Sequence, residues 1–205
     1  MNMPQLAAAG PARTLPQRMR HALADAHAVA DAAPLTLPAA RVPRAPGLLA
    51  DALPGSPAAR EERRALYVRC LAHYRRSVGA SAGTGSRRDD DVAEAAAHFV
   101  VANLRALQGV DATPAVFDAL KAQLAGVLRP GLAALALREQ QDTFEKFALL
   151  AVLIGETWTV ALRQGPAAMA NVRQAARGYL LELLGLEPQR LTLGPGGLVA
   201  VGGAG

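Results

Sequence analysis

The segment Phe147–Ile154 restricts the fold of this 205-residue chain more than any other feature, because all of its residues are apolar. A helix that crosses a bilayer needs roughly 20 apolar residues, so the segment is too short to be a membrane span. A helix that is apolar on every face has to be surrounded by other elements. We therefore predict a central, buried helix in a packed core.

The composition indicates that the surrounding elements are helices as well. Ala supplies 46 residues, 51% of the chain is hydrophobic and only 4% is aromatic. Ala is the best helix former, and this apolar content is too high for a disordered chain. The single Cys excludes a disulfide framework and a cysteine-rich zinc module. The expected fold is a soluble all-α domain, a single orthogonal or irregular bundle of about five to six helices.

The N-terminal part is predicted to be a flexible Ala- and Pro-rich extension over residues 1–48. Within it, residues 17–32 have the pattern of a weak helix that would need a partner surface. Residues 33–57 contain six prolines, which is typical of an extended linker. The bundle is assigned to residues 49–187, and residues 188–205 to a non-helical tail or a short hairpin.

Capping and stop residues predict five helices inside the bundle. They run from Pro57 to the Gly79–Ser86 loop, from Asp89 to Gly109, from Thr113 to the Pro130–Gly131 pair, over residues 132–164 with a break near Arg138–Asp142, and from Pro166 to Gly185.

The formal charge of +5 is unevenly distributed. Residues 1–88 contain 13 Arg and 5 acidic residues, whereas residues 89–205 contain 9 Lys or Arg and 12 acidic residues. Such a chain can be attracted to nucleic acid, or its two halves can attract each other. Arg outnumbers Lys by 20 to 2, and this ratio indicates a compositional bias of the coding sequence more than a ligand.

The first 20 residues contain no apolar core of the kind that a secretory signal peptide has. The expected compartment is therefore the cytoplasm. The alternative is the periplasm or secretion, if a leader was removed before Met1.

Three stretches carry a resemblance to a known family: LADALPGSPAAREERRALYVRCLAHY, DDDVAEAAAHFVVANLRALQG, and the long segment from Phe144 to Leu193. In this order they resemble a family of bacterial all-helical proteins of unknown function, over roughly residues 49–198. The resemblance implies a helical fold. It implies no catalytic residue, because none is known for that family.

The sharpest candidate for chemistry is Asp89–Asp91 with Glu94 and His98, since carboxylates and imidazole can bind a divalent metal. Helical geometry places Asp91, Glu94 and His98 opposite the apolar stripe, on a predicted solvent face. No second helix supplies matching ligands, as a di-iron bundle would require. We therefore assign no metal and no cofactor here, and a metal-dependent enzyme at Glu94 and His98 is only the second alternative function.

Two further candidates are weaker. Cys70 and His73 lie close to Arg69, Arg75 and Arg76, which suits an activated thiolate, but Cys70 belongs to the apolar stripe and is predicted to be inert. The glycine-rich stretch GASAGTGS, followed by Arg87 and Arg88, does not match a phosphate-binding motif, and the three aspartates after it would repel a phosphate.

Nucleic-acid binding through the Arg-rich region 60–88 is the first alternative function. Its cations are distributed around the helix and are interrupted by Glu61 and Glu62, and its tyrosines belong to the core stripe. The preferred hypothesis is a non-catalytic helical domain that binds a protein partner. The sequence gives no oligomeric state and predicts that nucleic acid is an improbable ligand.

Overall fold

The computed structural model describes residues 33–80 and 90–200, together with Gln17. In this part of the chain, six α-helices are packed together with two short antiparallel strand pairs, which confirms the predicted mainly helical fold. The elements are β1 Thr36–Leu37, α1 Ala45–Asp51, α2 Pro57–Ala80, β2 Asp90–Asp91, α3 Val92–Gln108, α4 Pro114–Leu132, α5 Leu137–Gln164, α6 Pro166–Leu184, a 3-10 turn Pro188–Arg190, β3 Leu191–Gly194 and β4 Gly197–Ala200. None of these helices has the length and apolar character to span a membrane.

Helices α3 and α5 form the centre of the bundle. Helix α3 packs against α4, α5 and α6, and α5 also contacts α1 and α2. The start of α3 is fixed by Asp91, whose carboxylate accepts the backbone N–H groups of Ala93 and Glu94. Its end is fixed by Gly109, which adopts the left-handed conformation with φ 72°. The end agrees with the sequence prediction, whereas the helix begins at Val92 and not at Asp89, because Asp90–Asp91 form β2.

The predicted helix over residues 132–164 is wrong at its start. Helix α4 includes Pro130 in its last turn and ends at Leu132, and α5 begins at Leu137. The polar first turns of α5 therefore belong to a continuous helix, and the break lies before them. The side chains of Gln141, Asp142 and Glu145 in these turns are buried, which is why the apolar period lapses there.

The core is built on contacts between aromatic rings and leucines. The ring of Phe99 lies 5.5 Å from that of Phe147 and 5.8 Å from that of Tyr179, measured between centroids. The buried helix predicted at Phe147–Ile154 is present, and all of its residues except Val152 are buried. The rest of α5 is different: most residues after Ile154 are exposed or half-buried.

The prediction that residues 33–57 form an extended linker is wrong, because they include β1 and α1. Residues 33–44, here called the N-terminal strap, lie along the bundle, and β1 pairs with β2 in antiparallel register. Leu37, Ala40 and Ala45 are buried. The prolines stop a long helix, but they leave carbonyl groups free, and side chains of α5 bind them: Gln141 donates to the Pro38 carbonyl at 2.8 Å and Arg138 to the Val42 carbonyl at 2.8 Å.

The C-terminal tail forms the hairpin that was one of the two predicted alternatives. Strands β3 and β4 pair in antiparallel register, and Leu191 and Leu198 are buried. The Gln123 side chain of α4 donates to the Leu198 carbonyl and accepts the Leu198 backbone N–H, at 2.9 Å each. A neighbouring strand would make the same two hydrogen bonds. This docking makes the hairpin part of the bundle.

Candidate functional site

The acidic residues singled out in the sequence belong to a cluster of charged groups between α2, α3 and α4. This polar cluster consists of Tyr74 and Arg75 from α2, Asp90 and Asp91 from β2, Glu94 and His98 from α3, and Lys121 from α4. The cluster contains two ion pairs and an aromatic side.

The first ion pair joins α2 to the strand before α3. Arg75 donates from Nη2 to Asp90 Oδ2 at 2.7 Å and from Nε to Asp90 Oδ1 at 3.3 Å. Its guanidinium also lies 5.6 Å from the ring centroid of Phe144 in α5. A two-point contact of this kind fixes the geometry of both side chains. Arg75 is therefore a structural link between α2, β2 and α5.

The second ion pair is centred on Lys121. Its ammonium nitrogen lies 2.9 Å from Asp91 Oδ2 and 3.5 Å from Glu94 Oε2. Burial lowers the pKa of Lys121, but the hydrogen bonds and negative charges of Asp91 and Glu94 outweigh it, so the net pKa is raised. Lys121 is thus a firmly protonated counter-ion in the position that a metal would need to occupy between these carboxylates.

His98 and Tyr74 form the aromatic side of the cluster. The His98 ring lies 5.5 Å from Tyr74 and 4.6 Å from Phe117, measured between centroids. Burial lowers the pKa of His98, Glu94 opposes this effect and Lys121 adds to it. The Tyr74 hydroxyl is buried and has no hydrogen-bond partner in the described part of the chain, and burial together with the nearby carboxylates raises its pKa.

The prediction that this face of α3 is exposed to solvent is therefore wrong. Asp91 is buried, and Glu94 and His98 are half-buried. Side chains of α4 and α2 contact α3 on the side expected to face water, where Lys121 pairs with Glu94 and the rings of Tyr74 and Phe117 lie against His98. In residues 33–80 and 90–200, no three His, Cys, Asp or Glu side chains are grouped as metal ligands would be. Asp89 lies outside the described residues.

The remaining candidates are separated by the structure. Cys70 is buried, as predicted, whereas His73 is exposed, so the two do not form a thiol–imidazole pair. Burial raises the pKa of the Cys70 thiol, and the nearby Arg69 only partly opposes it. The stretch GASAGTGS, apart from its first two residues, lies outside the described residues together with Arg87 and Arg88.

The arginines of α2 are divided between internal contacts and solvent. Arg63 donates to the carbonyls of Ala50 and Leu53, Arg64 pairs with Asp51 and Glu61, and Arg75 pairs with Asp90. Along the described part of α2, the cations without such a partner are Arg60, Arg69 and Arg76. Three of the six arginines in the described part of the 60–88 region therefore make contacts within the fold.

Sequence reasoning missed a second group of buried charges, on the first turns of α5. Glu145 is 0% exposed, and its Oε2 accepts the backbone N–H groups of Arg44 at 2.8 Å and Ala45 at 3.0 Å. One turn earlier, Asp142 is paired with the Arg44 side chain at 3.6 Å. The available signal was the lapse of apolar periodicity at Arg138–Asp142, which marks buried polar contacts here and not a helix break.

The second half of α5 presents apolar side chains to solvent where it packs on α6. Val160 is 47% and Leu162 53% exposed. Trp158 and Met169 are half-buried at the edge of a small cluster of Ala106, Ile154, Ala161, Val172 and Ala176. Trp158, Val160, Leu162 and Met169 are called the α5–α6 tip below. The Arg173 guanidinium lies 5.9 Å from the Trp158 ring centroid.

Comparison with known protein families decides where the chain belongs. It matches a family of unknown function, DUF6683, over residues 1–200. The chain is a member of that family. The match extends the predicted resemblance, which covered roughly residues 49–198, to the beginning of the chain. No curated protein and no solved structure matches it significantly.

Proposed function

We propose that this DUF6683 member is a non-catalytic helical module that binds a protein partner through the α5–α6 tip. The observation that carries the proposal is the pairing of Trp158 with Leu162. They are four residues apart on α5, so their side chains are neighbours on one face, and Leu162 is 53% exposed. Trp is the residue most enriched at binding hot spots.

The charges beside the tip favour a partner segment that is apolar with acidic neighbours. Arg163 is exposed directly after Leu162, and Arg173 is exposed above the Trp158 ring. Cations at the rim of an apolar patch select partners of opposite charge and accelerate their association. The tip therefore offers a central aromatic anchor and a basic rim.

The charged clusters support a non-catalytic role. The carboxylates of Asp90, Asp91 and Glu94 are held by Arg75 and Lys121, and Cys70 is buried away from a base. A nucleophile or general base has to reach a substrate in a cleft, and these groups bind one another between helices. The contacts of these charged groups with one another are those of groups that stabilise the folded chain.

The proposal is tested by placing a photo-crosslinking residue at position 162 or, as a control, at position 181 in the producing cell. Leu181 on α6 is 41% exposed and lies outside the tip. A partner captured only from position 162 is purified and titrated against the wild type, Leu162→Glu and Leu181→Glu. We expect Leu162→Glu to weaken binding by about tenfold or more, as at a hot spot, and Leu181→Glu to leave it unchanged.

Equal capture from both positions, or equal binding by both variants, would contradict the proposal. A titration with DNA and RNA at ~50 mM salt tests the alternative, because electrostatic binding is strongest at low salt. Retardation that disappears in the Arg69→Ala, Arg76→Ala double variant would favour nucleic acid as the ligand and count against a protein partner.

A further inference from the structure

The two buried carboxylates of α5 leave one oxygen each without a partner. Glu145 Oε2 accepts two backbone N–H groups, and Asp142 Oδ2 faces the Arg44 guanidinium. The other two oxygens, Glu145 Oε1 and Asp142 Oδ1, are buried and make no hydrogen bond with any residue in 33–80 or 90–200. Buried oxygens are rarely left in this state, because the loss of hydration is then uncompensated.

Asp142 and Glu145 are three residues apart, so their side chains lie on the same face of α5, one turn apart. We propose that they form a buried proton-binding site: one proton on Glu145 Oε1 is donated to Asp142 Oδ1, and the neutral carboxyl keeps the N-terminal strap attached to the bundle. A single proton gives both oxygens a partner, since a protonated carboxyl is a donor and a carboxylate is an acceptor.

The charges around the pair support this assignment. From the strap, Arg44 faces Asp142 but is half-exposed, and from α2, Arg75 is already bound to Asp90 at two points. Two carboxylates one helical turn apart therefore share one counter-ion that is not bound to a third carboxylate in the described residues, and like charges on one helix face favour protonation of one of them. Burial raises the pKa of Glu145. The N–H groups of Ala45 and Arg44 and the charge of Arg75 oppose the shift, and Asp142 adds to it.

The consequence is a strap whose attachment depends on pH. When the proton leaves, two buried negative charges lie one turn apart on the same face of α5, and the contact between Glu145 and the backbone of Arg44 and Ala45 is weakened.

Two variants and the wild type test the proposal. Glu145→Gln imitates the protonated state, because its amide oxygen can accept the two backbone N–H groups and its amide nitrogen can donate to Asp142. Glu145→Met has a similar length and neither capacity. At pH 6 an ordinary glutamic acid is about 2% protonated. We therefore expect a carboxylic-acid carbonyl band in the infrared spectrum of the wild type at pH 6, which disappears as the pH rises and is missing in Glu145→Gln.

Amide hydrogen exchange at Arg44 and Ala45 gives the second measurement. We compare the protection factors of these two amides in the wild type with those in Glu145→Gln. The wild-type values should fall by up to about tenfold for each pH unit above the pKa of Glu145. Glu145→Met should lose protection at every pH. The proposal is overturned if the wild type shows no carboxylic-acid band at pH 6, or if the two variants lose protection equally. The infrared titration of the wild type decides the question even if Glu145→Met does not fold.

Discussion

The segment Phe147–Ile154 and the end of α5 after Ile154 belong to one helix and differ in their surroundings. Both contain large apolar residues, but Phe147–Ile154 is buried except at Val152, whereas most later residues are exposed or half-buried and rest on a small cluster rich in Ala. Alanines bury little apolar area, so the second half is held less firmly. Helical periodicity predicts a helix, and it does not predict how many neighbours the helix has.

The largest effect should come from truncating a leucine in each half of α5. Leu150 is fully buried and Leu162 is exposed. Leu150→Ala should lower the free energy of unfolding by about 2–5 kcal/mol through lost burial and a residual cavity. Leu162→Ala should change it by less than about 0.5 kcal/mol. Urea denaturation of both variants measures the difference, and equal costs would show that the tip is packed as tightly as the core.

A second, smaller effect tests the charged groups beside the buried half. Lys121→Met removes the counter-ion of Asp91 and Glu94 and leaves two partly buried carboxylates uncompensated. We expect a loss of about 1–3 kcal/mol at neutral pH. Lys146→Met is the control, because no ion pair is present at Lys146 within the described residues. A Lys121 variant as stable as this control would show that the ion pairs contribute nothing.

The third prediction concerns the close contact between the hairpin and α4. A Cβ on Gly197, where φ is +100°, would lie 2.9 Å from Gln123 Oε1 and 3.1 Å from the Leu120 Cα. Gly197→Ala should therefore cost about 1–3 kcal/mol. Gly196→Ala, with no atom within 4 Å of the added Cβ, is the matched control. Equal melting temperatures of the two variants would indicate that the hairpin is not docked.

The smallest effect should be the pH dependence contributed by His98. Burial lowers its pKa in the folded protein, so the unfolded chain binds the proton more readily. This stabilising contribution is complete above the ordinary histidine pKa of about 6.5 and is lost as the pH falls below it. The melting temperature of the wild type should therefore fall more between pH 7.5 and about 5 than that of His98→Gln. An NMR titration that gives His98 a pKa above about 6.5 would contradict this prediction.

Much of the helical architecture could be predicted from local signals. Gly109 gave the end of α3, and the Gly165–Pro166 pair separated α5 from α6. These signals act within one turn of the chain, so the sequence displays them directly. The linker prediction for residues 33–57 failed because its evidence was also local: prolines exclude a long helix but do not reveal that Gln141 and Glu145, about 100 residues later, bind that backbone.

A similar division runs between properties that follow from the local sequence and properties that depend on tertiary contacts. The helical class, the buried segment Phe147–Ile154 and the buried position of Cys70 follow from composition and from periodicity along one helix. The surroundings of the charged residues depend on tertiary contacts. Glu94 and His98 become half-buried because side chains of α2 and α4 pack against them, and Glu145 becomes fully buried where the strap backbone binds it. Burial and pKa depend on neighbours that are distant in the chain, and the spacing of residues carries no information about them.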